Sequence, residues 1–254
     1  MGTKKGLIIA AVLALAVCFT AAPVTPVHAG SVTKGFSHQL SVKVVKNSDG
    51  TFTTVNNENQ MMRQARTKLG CPYVSGAAGP YAFDCSGYVA YTMHKSGVAL
   101  TRSTAASYYR SANNVGSIGN AHRGDIVLYS SGGGICHCGL YYGGGDVIQA
   151  CCSRGVAVRG AYDIGQSVVA VIRTYTPAGV LRVAGDAGSQ VRIKGEGISV
   201  TKTLTEAGVT AKALPRGTYT VTPVGEGSAA VTVKVRYNDS TKVDFTEQAE
   251  DPAA

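Results

Sequence analysis

Charge is scarce in this chain of 254 residues: Asp, Glu, Lys and Arg together make up only 15%, against 44% hydrophobic residues. That balance excludes a mostly disordered chain and fits a globular one, long enough for one large domain or two modest ones. Acidic residues are scarcer still, 15 against 24 Lys and Arg, for a formal charge of +9. A surplus of that sign favours anionic surroundings such as a teichoic-acid-bearing wall, nucleic acid or a membrane surface, without choosing among them. No basic run with interleaved aromatics is present, and nucleic acid has no further support. Phosphate loops are also missing: GGG at 132–134 and at 143–145 does not lead from a strand into a helix and reads as turns. Arg123-Gly124-Asp125 spells an adhesion tripeptide but precedes a strand, and reads as a turn.

No apolar run reaches the ~20 residues of a membrane span. The longest, GLIIAAVLALAVCFTAA, is 17 residues, follows Lys4 and Lys5, and is followed by Pro23 and Pro26. With Val27-His28-Ala29 as a small-residue cleavage site, residues 1–29 read as a secretory signal peptide. A lipoprotein signal ending at Cys18 ranks second, because Val17 is large for the position before a lipidated cysteine. Export implies a secreted, extracellular protein. It also changes how Cys71, Cys85, Cys136, Cys138, Cys151 and Cys152 are read, since an even set in an oxidising compartment suggests disulfides. Zinc fits poorly: on a strand His137 points to one face while Cys136 and Cys138 point to the other. No metal or cofactor is expected.

Past the signal, VKVVKNSDGTFTTV (42–55) alternates about Asp49-Gly50 and reads as a β-hairpin, within a lead covering 30–56. NNENQMMRQARTKLG predicts a helix capped by Asn57, with Met61, Met62, Ala65 and Leu69 on one face. A second helix is predicted from Cys85 to Lys95, ended by Ser96-Gly97, and a third, weaker one from Ser103 to Ala112. The pattern then turns to strands: DIVLYSS, ICHCGLYYG, DVIQACC, GVAVRG and VVAVIRTY. Helices first and a small antiparallel sheet after them indicate an α+β domain over 57–176. Pro177-Ala178-Gly179 reads as a linker, residues 180–246 as a small all-β sandwich, and 247–254 as a frayed acidic tail.

Chemistry concentrates at Cys85. A cysteine in the first turn of a helix has its thiolate favoured by the macrodipole and unpaired N–H groups, and the same N–H groups suit an oxyanion. A buried inert cysteine competes with that reading. His137 lies in a hairpin that, centred on Gly143, places it opposite Gln149 on one sheet face. A glutamine beside an imidazole fixes which ring nitrogen faces a thiol. The chain thus offers a nucleophile, a base and an orienting amide, in that order.

FDCSG at a helix start, CPYVSGAAGP before it and HRGDIVLYSSGGGICHCGLYYGGGDVIQA after it resemble the NlpC family of bacterial cell-wall cysteine peptidases, from about Gln60 to Tyr175. The resemblance implies a papain-like fold, no cofactor, and hydrolysis of peptidoglycan stem peptides at the bond between D-glutamate and the diamino acid. Cys85 is implied as nucleophile, His137 as proton shuttle, Gln149 as its orienting partner, and Tyr73 as a group polarising the scissile carbonyl. Asp84 and Ser86 match a pair that contacts a substrate amine in some members, although Asp84 equally suits a helix cap. The chain departs from the family at Gln149, where histidine is commonest, and at Ser75, where an aromatic is usual. It departs again in the cluster Cys136, Cys138, Cys151 and Cys152, where disulfides pinning the sheet are expected. ALPRGTYTVTP resembles Cna-B or PEGA-type surface modules, with an expected wall-holding or spacing role. A related amidase or acyltransferase, or a wall-binding protein whose peptidase has decayed, remain the alternatives; oligomeric state is not legible.

Overall fold

The computed structural model describes residues 39–98, 100–110, 114–225 and 227–246; the expected signal peptide and tail lie outside them. The first described elements are β1 (Val42–Lys46) and β2 (Phe52–Asn56), paired antiparallel from Val42 opposite Asn56 to Lys46 opposite Phe52. Their turn is the expected one: Gly50 takes a φ of 84°, and Asp49 Oδ1 accepts from the Thr51 N–H at 2.9 Å.

Helix α1 (Asn57–Arg66) begins directly after β2. Its cap is Asn56 rather than Asn57: Asn56 Oδ1 accepts from Asn59 N at 2.9 Å, while Asn57 is buried and donates through Nδ2 to Leu40 O at 2.8 Å. Met61, Met62 and Ala65 are buried as expected, but the helix ends before Leu69, which is 45% exposed. Helix α2 (Cys85–Lys95) buries Tyr88, Val89 and Met93, and the Tyr88 hydroxyl donates to Ala65 O at 3.0 Å, tying the helices together. Helix α3 (Ala105–Tyr109), capped by Thr104, is shorter than its sequence pattern predicts.

A short 3₁₀ turn (Ile118–Asn120) leads into five strands: β3 (Ile126–Ser131), β4 (Gly134–Gly143), β5 (Asp146–Cys151), β6 (Gly155–Gly160) and β7 (Ser167–Ile172). All pair antiparallel, in the order β6-β5-β4-β3-β7. Leu128, Cys138, Leu140, Ile148 and Ala150 of one face pack with Tyr88, Val89 and Met93 of α2. At about 1.5–3 kcal/mol per large apolar side chain removed from water, this layer is what holds α2 on the sheet. The opposite face buries Val127, Tyr129, Val147 and Val171.

Seven further strands follow: β8 (Ala178–Ala184), β9 (Gln190–Gly195), β10 (Ile198–Thr203), β11 (Val209–Pro215), β12 (Gly217–Pro223), β13 (Val231–Val235) and β14 (Ser240–Asp244). They form two sheets, β10-β9-β12-β13 and β11-β8-β14, with β14 parallel to β8. Leu181, Val183, Val191, Ile193, Tyr219 and Val221 share one core between them.

Two features depart from the sequence pattern. Ala178 and Gly179, expected in a linker, open strand β8. Strand β1, expected in a separate lead, packs on these later strands: Val42 joins Ala178, Val180 and Ala211 in one cluster, and Ala178 N donates to Ser41 Oγ at 2.9 Å. Tyr237 makes a second tie. Its ring stacks on His122 with centroids 4.5 Å apart, and its hydroxyl donates to Glu58 of α1.

Candidate active site

The α2 N-terminus is built by Asp84. Its Oδ1 accepts from Gly87 N at 2.6 Å and from Ser86 Oγ at 3.0 Å; its Oδ2 accepts from Gly76 N at 3.0 Å and from Arg102 at 2.8 Å. The cap fixes the first turn of the helix, and the turn fixes Cys85. Gly87 is required there, because a Cβ would lie 2.2 Å from Ala77 O. Ser86 is buried and spends its hydroxyl on Asp84. Both residues of the candidate amine-binding pair therefore already act within the protein, and Arg102 covers the outer carboxylate oxygen.

Cys85 is largely buried, and its sulfur has two side-chain partners, the Cys138 thiol and the His137 ring. The Cys138 hydrogen bond is the larger influence on its acidity; burial opposes ionisation, and His137 adds a hydrogen bond and a charge. Together they push the Cys85 thiol down to about 4. The same contact, with complete burial, holds Cys138 well above an ordinary thiol, so one sulfur is the donor and the other the thiolate.

His137 is held from behind. Its Nε2–H donates to Gln149 Oε1, and that tautomer leaves Nδ1 as the ring nitrogen to exchange a proton with the thiol. The pair forms, but not in the expected register. Leu140 lies opposite Ile148 and Tyr141 opposite Val147, so Gly139, not His137, continues opposite Gln149. Two residues of slip keep the face and change the partner. Gln149 reaches His137 diagonally, a span long side chains bridge. Gly139 makes room for this: a Cβ there would lie 2.8 Å from Gln149 Cβ and 2.5 Å from Val147 Cγ1.

Tyr73 bridges to Phe83, one residue before Asp84. Burial, then the charges of Cys85 and Asp84, raise its phenol above the ordinary value, so it remains a neutral donor. The expected disulfides are not formed: all six described cysteines are free, with Cys136 and Cys152 exposed and Cys138 buried. Cys138 was expected on the sheet face away from His137. It does lie on the helix-covered face, with Leu128 and Leu140, and that places its thiol against Cys85. Among the described residues, no three His, Cys, Asp or Glu side chains converge on a metal-sized site.

The family model described as "NlpC/P60 family" matches residues 70–171, a span that contains Tyr73, Cys85, His137 and Gln149. Over residues 70–171 the chain is thus similar to NlpC/P60 domains. Over 112 residues the chain is 38% identical to the "Probable endopeptidase p60" of Listeria grayi, an alignment covering 41% of this chain and 22% of that protein. A "Probable endopeptidase" of Corynebacterium glutamicum (strain R) is 41% identical over 86 residues, covering 34% of this chain and 39% of its own. Among solved structures, the peptidoglycan hydrolase RipB of Mycobacterium tuberculosis is similar at 27% identity and a TM-score of 0.38, over 46% of this chain and 64% of that one. The chain thus spans well under half the length of these curated relatives. Sequence reasoning missed two contributors to the candidate site, Cys138 and Arg102. The parity of β4 carried the signal for Cys138; nothing local marks Arg102, 18 residues from Asp84.

Proposed function

We propose that the chain is a secreted cysteine endopeptidase of the bacterial cell wall, hydrolysing peptidoglycan stem peptides at the D-glutamyl–diamino acid bond. The observation that carries this reading is the Cys85 sulfur, lowered to about 4 and in contact with a His137 ring that Gln149 holds in one tautomer. A thiolate at neutral pH beside an oriented imidazole is equipped for acyl transfer. In this scheme Cys85 attacks the scissile carbonyl carbon, and the oxyanion takes hydrogen bonds from the unpaired N–H groups of the first α2 turn and from the Tyr73 hydroxyl. His137 protonates the leaving amine, which departs and leaves a thioester on Cys85. Water then attacks the thioester, with His137 taking its proton, and the glutamyl product leaves. The catalytic portion is papain-like and spans 57–176. Residues 180–246 serve as a β-sandwich accessory module at the wall, and the printed names of the curated relatives, probable endopeptidases, support peptide-bond hydrolysis.

The test is mass spectrometry of stem peptides and whole peptidoglycan digests after incubation with the reduced protein, beside Cys85→Ala. A fragment ending in D-glutamate, absent with the variant, is the expected result. Intact substrates under reducing conditions would overturn the reading.

A further inference from the structure

Far from the thiol, β1, β10 and β11 enclose a groove of about 760 Å³. Strands β10 and β11 are edge strands of the two C-terminal sheets, and β1 packs on β11 and its neighbour β8 through Val42 and Val44. Lys43 and Lys46 of β1, Lys202 of β10 and Lys212 of β11 all line the groove. Its described lining contains no Asp or Glu, and none of the four lysines makes an ion pair among the described residues. Lys202 and Lys212 are half-buried and close enough to interact: burial, then the Lys202 charge, pushes the Lys212 ammonium below the ordinary lysine value.

Lysines on edge strands discourage sheet-to-sheet pairing, which accounts for one on each edge. Strand β1, in a two-stranded sheet, is an edge as well, but edge protection does not require lysines from three separate edges to meet in one groove. Like charges held together without a counter-charge are unfavourable, and the natural relief is a bound polyanion. The groove's other polar lining is the amides Gln39 and Asn57 and four threonines, whose hydroxyls suit phosphate oxygens, over an apolar floor. Phe52 is the one aromatic ring in the described lining, so stacking of successive bases, the usual means of holding single-stranded nucleic acid, has no platform.

We propose that this groove binds a polyol-phosphate chain of the cell wall, a flexible polymer carrying one negative phosphodiester per repeat. The choice of polymer rests on the wall location in the proposed function; the groove's preference for a polyanion does not. Such a site would hold the full chain on its substrate while the thiol works elsewhere.

The experiment is fluorescence anisotropy of labelled poly(glycerol phosphate) titrated with the full chain at several salt concentrations. Four lysine–phosphate contacts, at a slope of about 0.7 each, predict that affinity falls about 50-fold from 50 to 200 mM salt. Replacing Lys43, Lys46, Lys202 and Lys212 by Gln should remove most of that salt dependence and weaken binding about tenfold or more at low salt. A control with Arg63, Arg66, Lys234 and Arg236 replaced by Gln loses the same charge elsewhere and should bind nearly as the parent. Equal losses in both variants would overturn the site, as would no loss in the groove variant. Tighter binding of single-stranded DNA of matched charge, lost in the groove variant, would overturn the choice of polymer. Thermal melting checks that the quadruple variant folds, and Lys212→Gln alone, expected to bind about threefold more weakly, provides a milder second variant. Stem-peptide cleavage is measured separately: its failure in the parent would refute the peptidase reading and leave the anisotropy result standing.

Discussion

Replacing Cys138 by alanine removes the thiol that donates to the Cys85 sulfur, the largest influence on its acidity. Hydrogen bonds to charged groups contribute about 1.5–3 kcal/mol, and an S–H, a weak donor, belongs at or below the lower end. Since 1.36 kcal/mol corresponds to about one pH unit, Cys138→Ala should raise the Cys85 value from about 4 to about 5. The thiolate fraction at pH 5 then falls from about nine-tenths to about half, while above pH 7 both proteins remain fully ionised. The assay is site-resolved alkylation of Cys85 by iodoacetamide across that pH range, read by mass spectrometry. Cys138→Ser, which keeps a donor, should stay near the parent midpoint and separates hydrogen bonding from the void that alanine leaves. An unchanged midpoint in Cys138→Ala, or an equal rise in the serine variant, would refute the assignment.

His137→Ala should lower kcat on stem peptides by about 10²–10⁴-fold, because the leaving amine loses its acid. Alkylation of Cys85 at pH 8 should change far less, since Cys138 still stabilises the thiolate. Gly139→Ala places a Cβ 2.5 Å from Val147 Cγ1 in mid-sheet, and should cost about 1–3 kcal/mol, seen as a Tm several degrees lower. Asp84→Ala removes the α2 cap and should cost about 1 kcal/mol, whereas Arg102→Ala, whose side chain is 44% exposed, should leave the Tm nearly unchanged. If Asp84 receives a substrate amine, Arg102→Ala lowers KM for peptides with a free amino terminus, and an unchanged KM refutes that role. Burial raises Glu58 to about 7 from 4.5, against the opposing hydrogen bond from Tyr237. The folded state therefore holds a proton the unfolded chain has lost between about pH 4.5 and 7, and stability falls as pH rises through that window. Glu58→Gln should flatten this part of a Tm–pH curve; an unaltered curve would show that Glu58 does not titrate there.

Local signals were legible where chemistry dictates a local shape. Asp49-Gly50 defined a turn, Ser96-Gly97 a helix stop, and period-two alternation the strands of the five-stranded sheet. Helix limits were weaker: Asn56 and Asn57 are both competent caps, and only the Leu40 carbonyl, 17 residues back in the chain, draws Asn57 inward. The docking of β1 onto β8 and β11 was not legible at all. Val42 and Val44 announce an apolar face, but alternation says nothing about which distant strand covers it. The reading of Pro177-Ala178-Gly179 as a linker failed for the same reason, since Ser41 supplies a partner for Ala178 from 137 residues away.

The site shows the limit more sharply. Cys85, His137 and Gln149 were identifiable as residues, yet the reasoning that joined the last two used a symmetric hairpin. The real turn spends its glycines differently, and opposite residues move by two. The His137–Gln149 contact survives because a slip of two preserves the face, and because Gly139 leaves the space a diagonal contact needs. A slip of one would have destroyed it. Parity likewise separated Cys138 from His137 correctly, and the error was to expect a disulfide in its cluster, where the Cys138 thiol is free. With α2 packed on one face of β4, consecutive residues approach Cys85 from different sides: the histidine as a base, the cysteine as a buried donor. Disulfide arithmetic over an even number of thiols could not reveal this, because it counts sulfurs without asking which one a helix terminus makes anionic.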